Sequence, residues 1–287
     1  MTRRLVLALD SATESCTAAL LAVAADEGGV GEPLEVVAAR REEALVARGG
    51  GILLPLVQEI LLEAGASQVD VAAVVAGEGP GTFTGVRVAV ATARAVSLAL
   101  GVPIYGRSTL SALAALVLGE AGASERAAWP VVVPMVDARR GQVFAAVYAR
   151  RGSVWAEVGD LLAVAPEELM PAVNAVLARR EVGEGRRGGS ETVLLTGTPA
   201  LLGRVVDPYG TAQRRARAVD AIGLVRGQGW LEGGKAVWEG LVDAVAGWGG
   251  WGTPRPGRAG SPELVRPIYV RAPDADIHIT KMKDPWA

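Results

Sequence analysis

Leu5 to Leu9 is an unbroken apolar run that stops at Asp10. That is the pattern of a strand buried on both faces. Asp10 to Ser15 is polar and predicts a turn. Thr17 to Val23 and Leu34 to Arg40 predict two further strands. From Ile52 to Ala64 the period changes, with Leu53, Leu56, Val57, Ile60 and Leu61 recurring at helical spacing. Val69 to Ala76 predicts another buried strand. Beyond the Gly-rich stretch GEGPGTFTG, Gly77 to Gly85, the span Thr84 to Leu100 predicts a helix with Gly101 as its stop. Val102 to Tyr105 then predicts a short strand. The order is βββαβα.

The order begins again further on. Pro130 to Val136 is apolar and also ends in an aspartate, Asp137. A polar turn, Ala138 to Gln142, leads to a predicted strand, Val143 to Ala149. Pro166 to Arg179 predicts a helix and Val193 to Thr196 a strand. The expected fold is therefore α/β, a duplicated βββαβα unit with a degenerate second lobe, the halves bridged by a helix over Ser108 to Leu118. The expected division is residues 1–106 for the first lobe and 107–265 for the second. Segment 266–287 returns to the first lobe. Two Gly-rich stretches, 179–190 and 247–260, read as flexible insertions, and Asp220 to Ala246 as weakly helical.

Composition narrows the chemistry. Half of the 287 residues are apolar and the net charge is −2, so no global field draws the chain to nucleic acid or anionic lipid. The single cysteine, Cys16, excludes an intrachain disulfide scaffold and reads as a small buried hydrophobe. The single histidine, His278, excludes an HExxH metal site and argues against a Ser-His-Asp triad. Two arginines precede an apolar run at the N-terminus, but Asp10 and Glu14 interrupt it. No uncharged apolar stretch reaches membrane-spanning length, and the expected location is the cytoplasm.

Three features carry candidate chemistry. GEGPGTFTG lacks the lysine of GxxxxGK[ST], and Thr82 stands where GxGxxG needs glycine. Gly79, Gly81 and Gly85 permit close backbone approach, Pro80 stiffens the turn, and Thr82 or Thr84 is placed to cap the next helix. Both a structural turn and a phosphate site fit. Asp10 and Asp137 end equivalent strands, where duplicated α/β ATPases hold a metal–nucleotide complex; each also suits an Asx-turn. The arginine pairs are small, scattered and without interleaved aromatics, as solvated surface is. The close-set Trp230, Trp238, Trp248 and Trp251 read as core before interface. The helix over 84–100 is apolar nearly all round, so it needs cover on more than one side.

LALDSATESCTAALL, GEGPGTFTGVRVAVATARAVSLALGVPIYGRSTLSALA, VDARRGQVFAAVY and PIYVRAPDA together resemble the TsaB (YeaZ) family. The most specific element is Gly79 to Arg87. The resemblance implies the sugar kinase–actin–Hsp70 type of fold and a non-catalytic role in making threonylcarbamoyladenosine (t6A) at tRNA position 37. It implies pairing through the first lobe with a TsaD-type catalytic subunit, with a TsaE-type ATPase joining the complex and tRNA reached indirectly. A second copy of the chain, giving a homodimer, is the alternative occupant of the same surface. No cofactor or metal is expected, and a peptidase is not.

Under this reading Asp10, Ser11, Thr13, Gly79, Gly81 and Asp137 are the remnant of a nucleotide region. Gly79, Pro80, Gly81, Thr82, Thr84, Gly85 and Arg87 form a structural loop. Leu53, Leu56, Ile60, Val86, Arg87, Val90 and Arg94 face the partner. The rival is an active ATPase or kinase with Asp10 and Asp137 around Mg-ATP. The chain departs from the family's histidine-containing RxHS-like stretch at Ala44 to Gly51, and from its usual basic residue at Glu78.

Overall fold

The computed structural model describes residues 4–23, 34–43, 51–184, 192–226, 231–232 and 260–270. In the first half β1 (Leu5–Asp10) pairs antiparallel with β2 (Ser15–Val23), which pairs antiparallel with β3 (Leu34–Glu43). Helix α1 (Leu53–Glu63) leads to β4 (Val71–Gly77), parallel to β1, and α2 (Phe83–Leu100) leads to β5 (Ile104–Arg107), parallel to β4. The sheet order is β3-β2-β1-β4-β5. Helix α3 (Thr109–Glu120) and the short α4 (Ala123–Ala127) cross to the second half.

There β6 (Val131–Arg139) plays the part of β1, β7 (Gln142–Ala145) that of β2 and β10 (Leu162–Val164) that of β3. A small hairpin, β8 (Tyr148–Arg151) and β9 (Val154–Glu157), is added between them. Helix α5 (Leu169–Glu184), β11 (Val193–Gly197), α6 (Pro199–Leu202) and β12 (Ala212–Ala216) complete the unit. The order β10-β7-β6-β11-β12 repeats that of the first sheet, strand for strand. The duplication read from the sequence is therefore present, and its second copy is worn down. The 18-residue α2 corresponds to a four-residue α6.

Several elements differ from expectation for local reasons. Val69 lies in a 3₁₀ turn, Gln68–Asp70, closed by Asp70 accepting from the Ser67 amide and hydroxyl, so β4 begins at Val71. Gly101 is left-handed and the Val102 amide still donates to Ser97 O, so β5 starts two residues later than predicted. The single strand expected over 143–149 divides into β7 and β8. Its partner β6 carries Pro134, which has no N–H to continue the ladder, although Pro134 O accepts from the Ala146 amide. Helix α5 runs on to Glu184, into the stretch expected to be a flexible insertion. Of the helical span expected over 220–246, the described part holds a 3₁₀ turn, Ala221–Leu224, capped by Asp220. Residues 44–50 and 233–259, His278 and the four close-set tryptophans lie outside the described residues.

Alternation along the strands sets four apolar layers. On one face of the first sheet Leu5, Leu7 and Leu9 pack with Leu53, Leu56 and Ile60 of α1 and Ala89, Val90 and Ala93 of α2. On the other, Val6 and Ala8 meet Ala112 of α3 and Ala221 and Leu224. On the second sheet Val131, Val133 and Met135 pack with Leu169, Met170 and Val173 of α5. Val132 and Val136 face Leu110, Ala114 and Val117 of α3. Cys16 is buried in the first of these layers, as expected.

Helix α2 has the length and apolarity of a membrane span. Arg87 and Arg94 interrupt it, and its buried stripe lies on the sheet.

Candidate functional site

The Gly-rich loop is closed by the first hairpin turn. Thr82 N donates to Ala12 O at 2.7 Å, and Ser11 Oγ donates to Gly85 O at 2.7 Å. Glycine is required where these segments touch: a methyl group at Gly81 would collide with the Ala12 carbonyl, and one at Gly85 with the Ser11 carbonyl. The Gly79–Pro80 bond is cis, and Gly79 O accepts from the Thr109 amide at 2.7 Å. Of the two threonines able to cap α2, Thr82 does so, its hydroxyl accepting from Gly85 N at 3.2 Å. The Thr82 amide and the Gly85 carbonyl are thus taken up by the chain's own turn.

Asp10 sits beneath that contact, 1% exposed. Its Oδ1 accepts from the Ala12 amide at 2.7 Å and its Oδ2 from the Thr109 hydroxyl at 2.8 Å. Burial pushes its pKa from 3.8 up to about 6, against the pull of those two bonds. Asp137 makes the same first bond, its Oδ1 accepting from the Arg139 amide at 2.7 Å. Both aspartates therefore form the Asx-turn that the sequence allowed as one of two readings. They differ in exposure, because Asp137 reaches a cleft and Asp10 does not. The cleft, about 140 Å³, lies between the two sheets and is lined by Thr13, Glu14, Asp137, Arg139, Arg204 and Arg217, among others. Its arginines are engaged: Arg139 with Glu14 at 3.1 Å, Arg217 with Glu120, and Arg204 with Gly141 O at 3.0 Å. Of the residues grouped as a nucleotide remnant, the cleft is lined by Thr13 and Asp137; Asp10 is buried away from it.

The structure corrects the expected partner-facing set. Leu53, Leu56, Ile60, Val86 and Val90 are all at most 3% exposed. They face inward because the helical stripe that signalled an apolar face is the one that covers the first sheet. The outer surface of the same helices is a different set. Leu54, Gln58, Ala95, Val96 and Ala99 line an apolar groove of about 300 Å³ between α1 and α2. Leu54, Leu62 and Leu98 are 53%, 83% and 60% exposed. Arg87 and Arg94 lie on α2 but bond within the chain, to Tyr269 and Pro262.

Glu78 has a role that its motif did not signal. The segment 260–270 lies along the first lobe. Ile104 N donates to Gly260 O, Arg266 N to Glu78 Oε1 at 2.7 Å, and Ile268 N to Glu78 O at 2.7 Å. Val265, 2% exposed, joins the first core layer. Burial raises the Glu78 pKa and lowers that of Arg107. The same force lifts Tyr148, whose hydroxyl donates to Glu157 at 3.2 Å, well above the ordinary tyrosine value. Sequence spacing carried no sign of this anchor, since Glu78 and Arg266 are far apart in the chain.

Two sheets of identical strand order around a shared helix define the class: a two-lobed, internally duplicated α/β protein of the sugar kinase–actin–Hsp70 type. Residues 51–182 match the family model described as TsaD, tRNA N6-adenosine threonylcarbamoyltransferase. Within that class the chain resembles the TsaB (YeaZ) family, as its motifs led one to expect. It is 34% identical over 151 residues to the tRNA threonylcarbamoyladenosine biosynthesis protein TsaB of Escherichia coli K12, covering 52% of this chain and 58% of that one. It is 31% identical over 125 residues to TsaB of Bacillus subtilis 168, covering 44% and 46%. The chain thus spans about half the length of these curated relatives. The solved structure of YeaZ from Pseudomonas aeruginosa shares the fold at a TM-score of 0.57 and 23% identity, over 93% of this chain and all of that one.

Proposed function

We propose that the chain is a non-catalytic scaffold subunit of the t6A-forming machinery, and that it docks a TsaD-type catalytic subunit on the groove between α1 and α2. The named relatives support a place in this biosynthesis. The observation that carries the non-catalytic part is the occupation of Asp10. Both its oxygens accept bonds from the chain and it is 1% exposed. A strand-end aspartate that serves a metal–nucleotide complex must face it, and Asp10 faces the chain's own amide and hydroxyl instead. In this reading a TsaE-type ATPase joins through the complex, in the cytoplasm. A second copy of the chain competes for the same groove when the partner is absent.

The docking surface is argued from exposure. Helices buried on one face and apolar on the other leave hydrophobic area in water, and covering it is favourable by about 25 cal/mol per Å². Leu54→Arg and Ala95→Arg place a charge at the mouth of the groove, because both positions are exposed, while Leu7, Val57, Leu61 and Val71 line it from the core side. Each variant is expected to stay folded and to lose at least tenfold in affinity for the TsaD-type subunit from the same source. Titration calorimetry measures this directly. Wild-type affinity in both variants would remove the groove, and a wild type that never binds would remove the scaffold reading. The rival ATPase requires turnover of ATP by the chain alone, lost in Asp137→Ala.

A further inference from the structure

Many of the arginines are neutralised by carboxylates, among them Arg40 by Glu63, Arg139 by Glu14 and Asp137, Arg215 by Glu125 and Arg217 by Glu120. Three on one side of the first lobe are held differently. Arg87 Nε donates to the Tyr269 hydroxyl at 2.9 Å, Arg94 Nε to Pro262 O at 2.7 Å, and Arg266 Nε to Glu263 O at 2.8 Å. Each acceptor is uncharged, so these bonds fix the guanidinium groups without cancelling their charge, although Arg94 also feels the Glu78 carboxylate. Two aromatic rings stand with them. Phe83, at the start of α2, and Tyr269, on the returning segment, are 39% and 48% exposed with ring centroids 5.7 Å apart. The Arg87 guanidinium carbon lies 3.5 Å from the Phe83 centroid and 5.7 Å from that of Tyr269.

Exposed ring faces beside fixed guanidinium groups meet two needs of one ligand. Phosphates need positive charge, and an unstacked base needs a flat apolar face. A duplex supplies the phosphates but hides its base faces. A protein partner is served better by the apolar groove, which is a separate surface. We infer that Phe83, Arg87 and Tyr269, with Arg94 and Arg266, form a direct contact site for a single-stranded segment of nucleic acid. A base stacks on the exposed aromatic faces and phosphates lie against the arginines. The site stands independently of the scaffold reading, and it replaces the indirect tRNA contact expected from the family with a direct one.

The test is fluorescence anisotropy with a labelled RNA hairpin carrying a single-stranded loop, its fully paired counterpart, and a DNA strand of the loop sequence. The full chain is expected to bind the hairpin and the DNA strand more tightly than the paired RNA. Hairpin preferred over DNA would identify RNA as the source, and parity would identify single strands of either kind. Phe83→Ala and Tyr269→Ala should each weaken hairpin binding about tenfold, the range for losing one stacked base. Tyr269→Phe, which keeps the ring but frees Arg87 from the hydroxyl, should weaken binding less than Tyr269→Ala. Arg94→Gln and Arg266→Gln should each flatten the salt dependence, whereas Arg214→Gln, elsewhere on the surface, should not. Thermal unfolding checks that each variant is folded. Equal affinity for paired and looped RNA would overturn the site, as would ring variants that bind like the wild type. So would a Tyr269→Ala variant that keeps RNA but loses the TsaD-type subunit. Failure here leaves the groove experiment unaffected, so the two readings fall separately.

Discussion

Asp10 is the residue at which the chain's chemistry turns into a stability term. Its folded pKa of about 6 stands above the ordinary 3.8 because burial disfavours the charged form. A raised folded value makes the contribution to stability full below about pH 4 and lost as pH rises through about 6. A shift of about two units corresponds to about 3 kcal/mol. Asp10→Asn keeps an oxygen for the Ala12 amide and removes the charge. Urea unfolding at pH 4 to 8 should show the variant gaining on the wild type by roughly that amount as pH rises. Parallel pH profiles for the two proteins would contradict the assignment.

At the level of elements, the loop before α2 shows what local sequence can and cannot reveal. Thr82 was readable as a cap because a hydroxyl at the end of an extended stretch accepts from the helix's first turn. Thr82→Ala should cost about 1 kcal/mol, seen as a lower urea midpoint with an unchanged slope. What fills the loop's other side was not readable, since that contact joins the Ser11–Ala12 turn to Thr82 and Gly85. The same limit explains why the apolar residues expected to face a partner are core. Periodicity finds an apolar stripe and says nothing of whether the chain or a partner covers it. Leu53, Leu56 and Val90 proved to be covered from within. The strand-end aspartates were legible as a pair, yet only burial separates Asp10 from Asp137. The aromatic–arginine cluster was invisible for a plainer reason: it joins Arg87 to Tyr269, on segments that meet only in the folded chain.

For the whole molecule, the duplication was legible because two apolar runs ending in aspartate start each copy. The hairpin of β8 and β9 was not, being a short, partly polar insertion into that plan, nor was β12, the counterpart of β5, whose five residues are mostly polar. The returning segment 260–270 is tied to the first lobe. Val265 enters a core built by β1, β4, α1 and α2, and Glu78 holds the backbone that follows it, at Arg266 and Ile268.

Helix α3 is buried from Thr109 to Leu118, with Ala112 in one lobe's interior and Leu110, Ala114 and Val117 in the other's. A helix owned by both halves makes them one cooperative unit. Calorimetry should show a single endotherm with matching calorimetric and van't Hoff enthalpies; two resolved endotherms would show that the halves melt independently. One rod packed into both interiors also resists the hinge swing by which a two-lobed protein closes on a ligand.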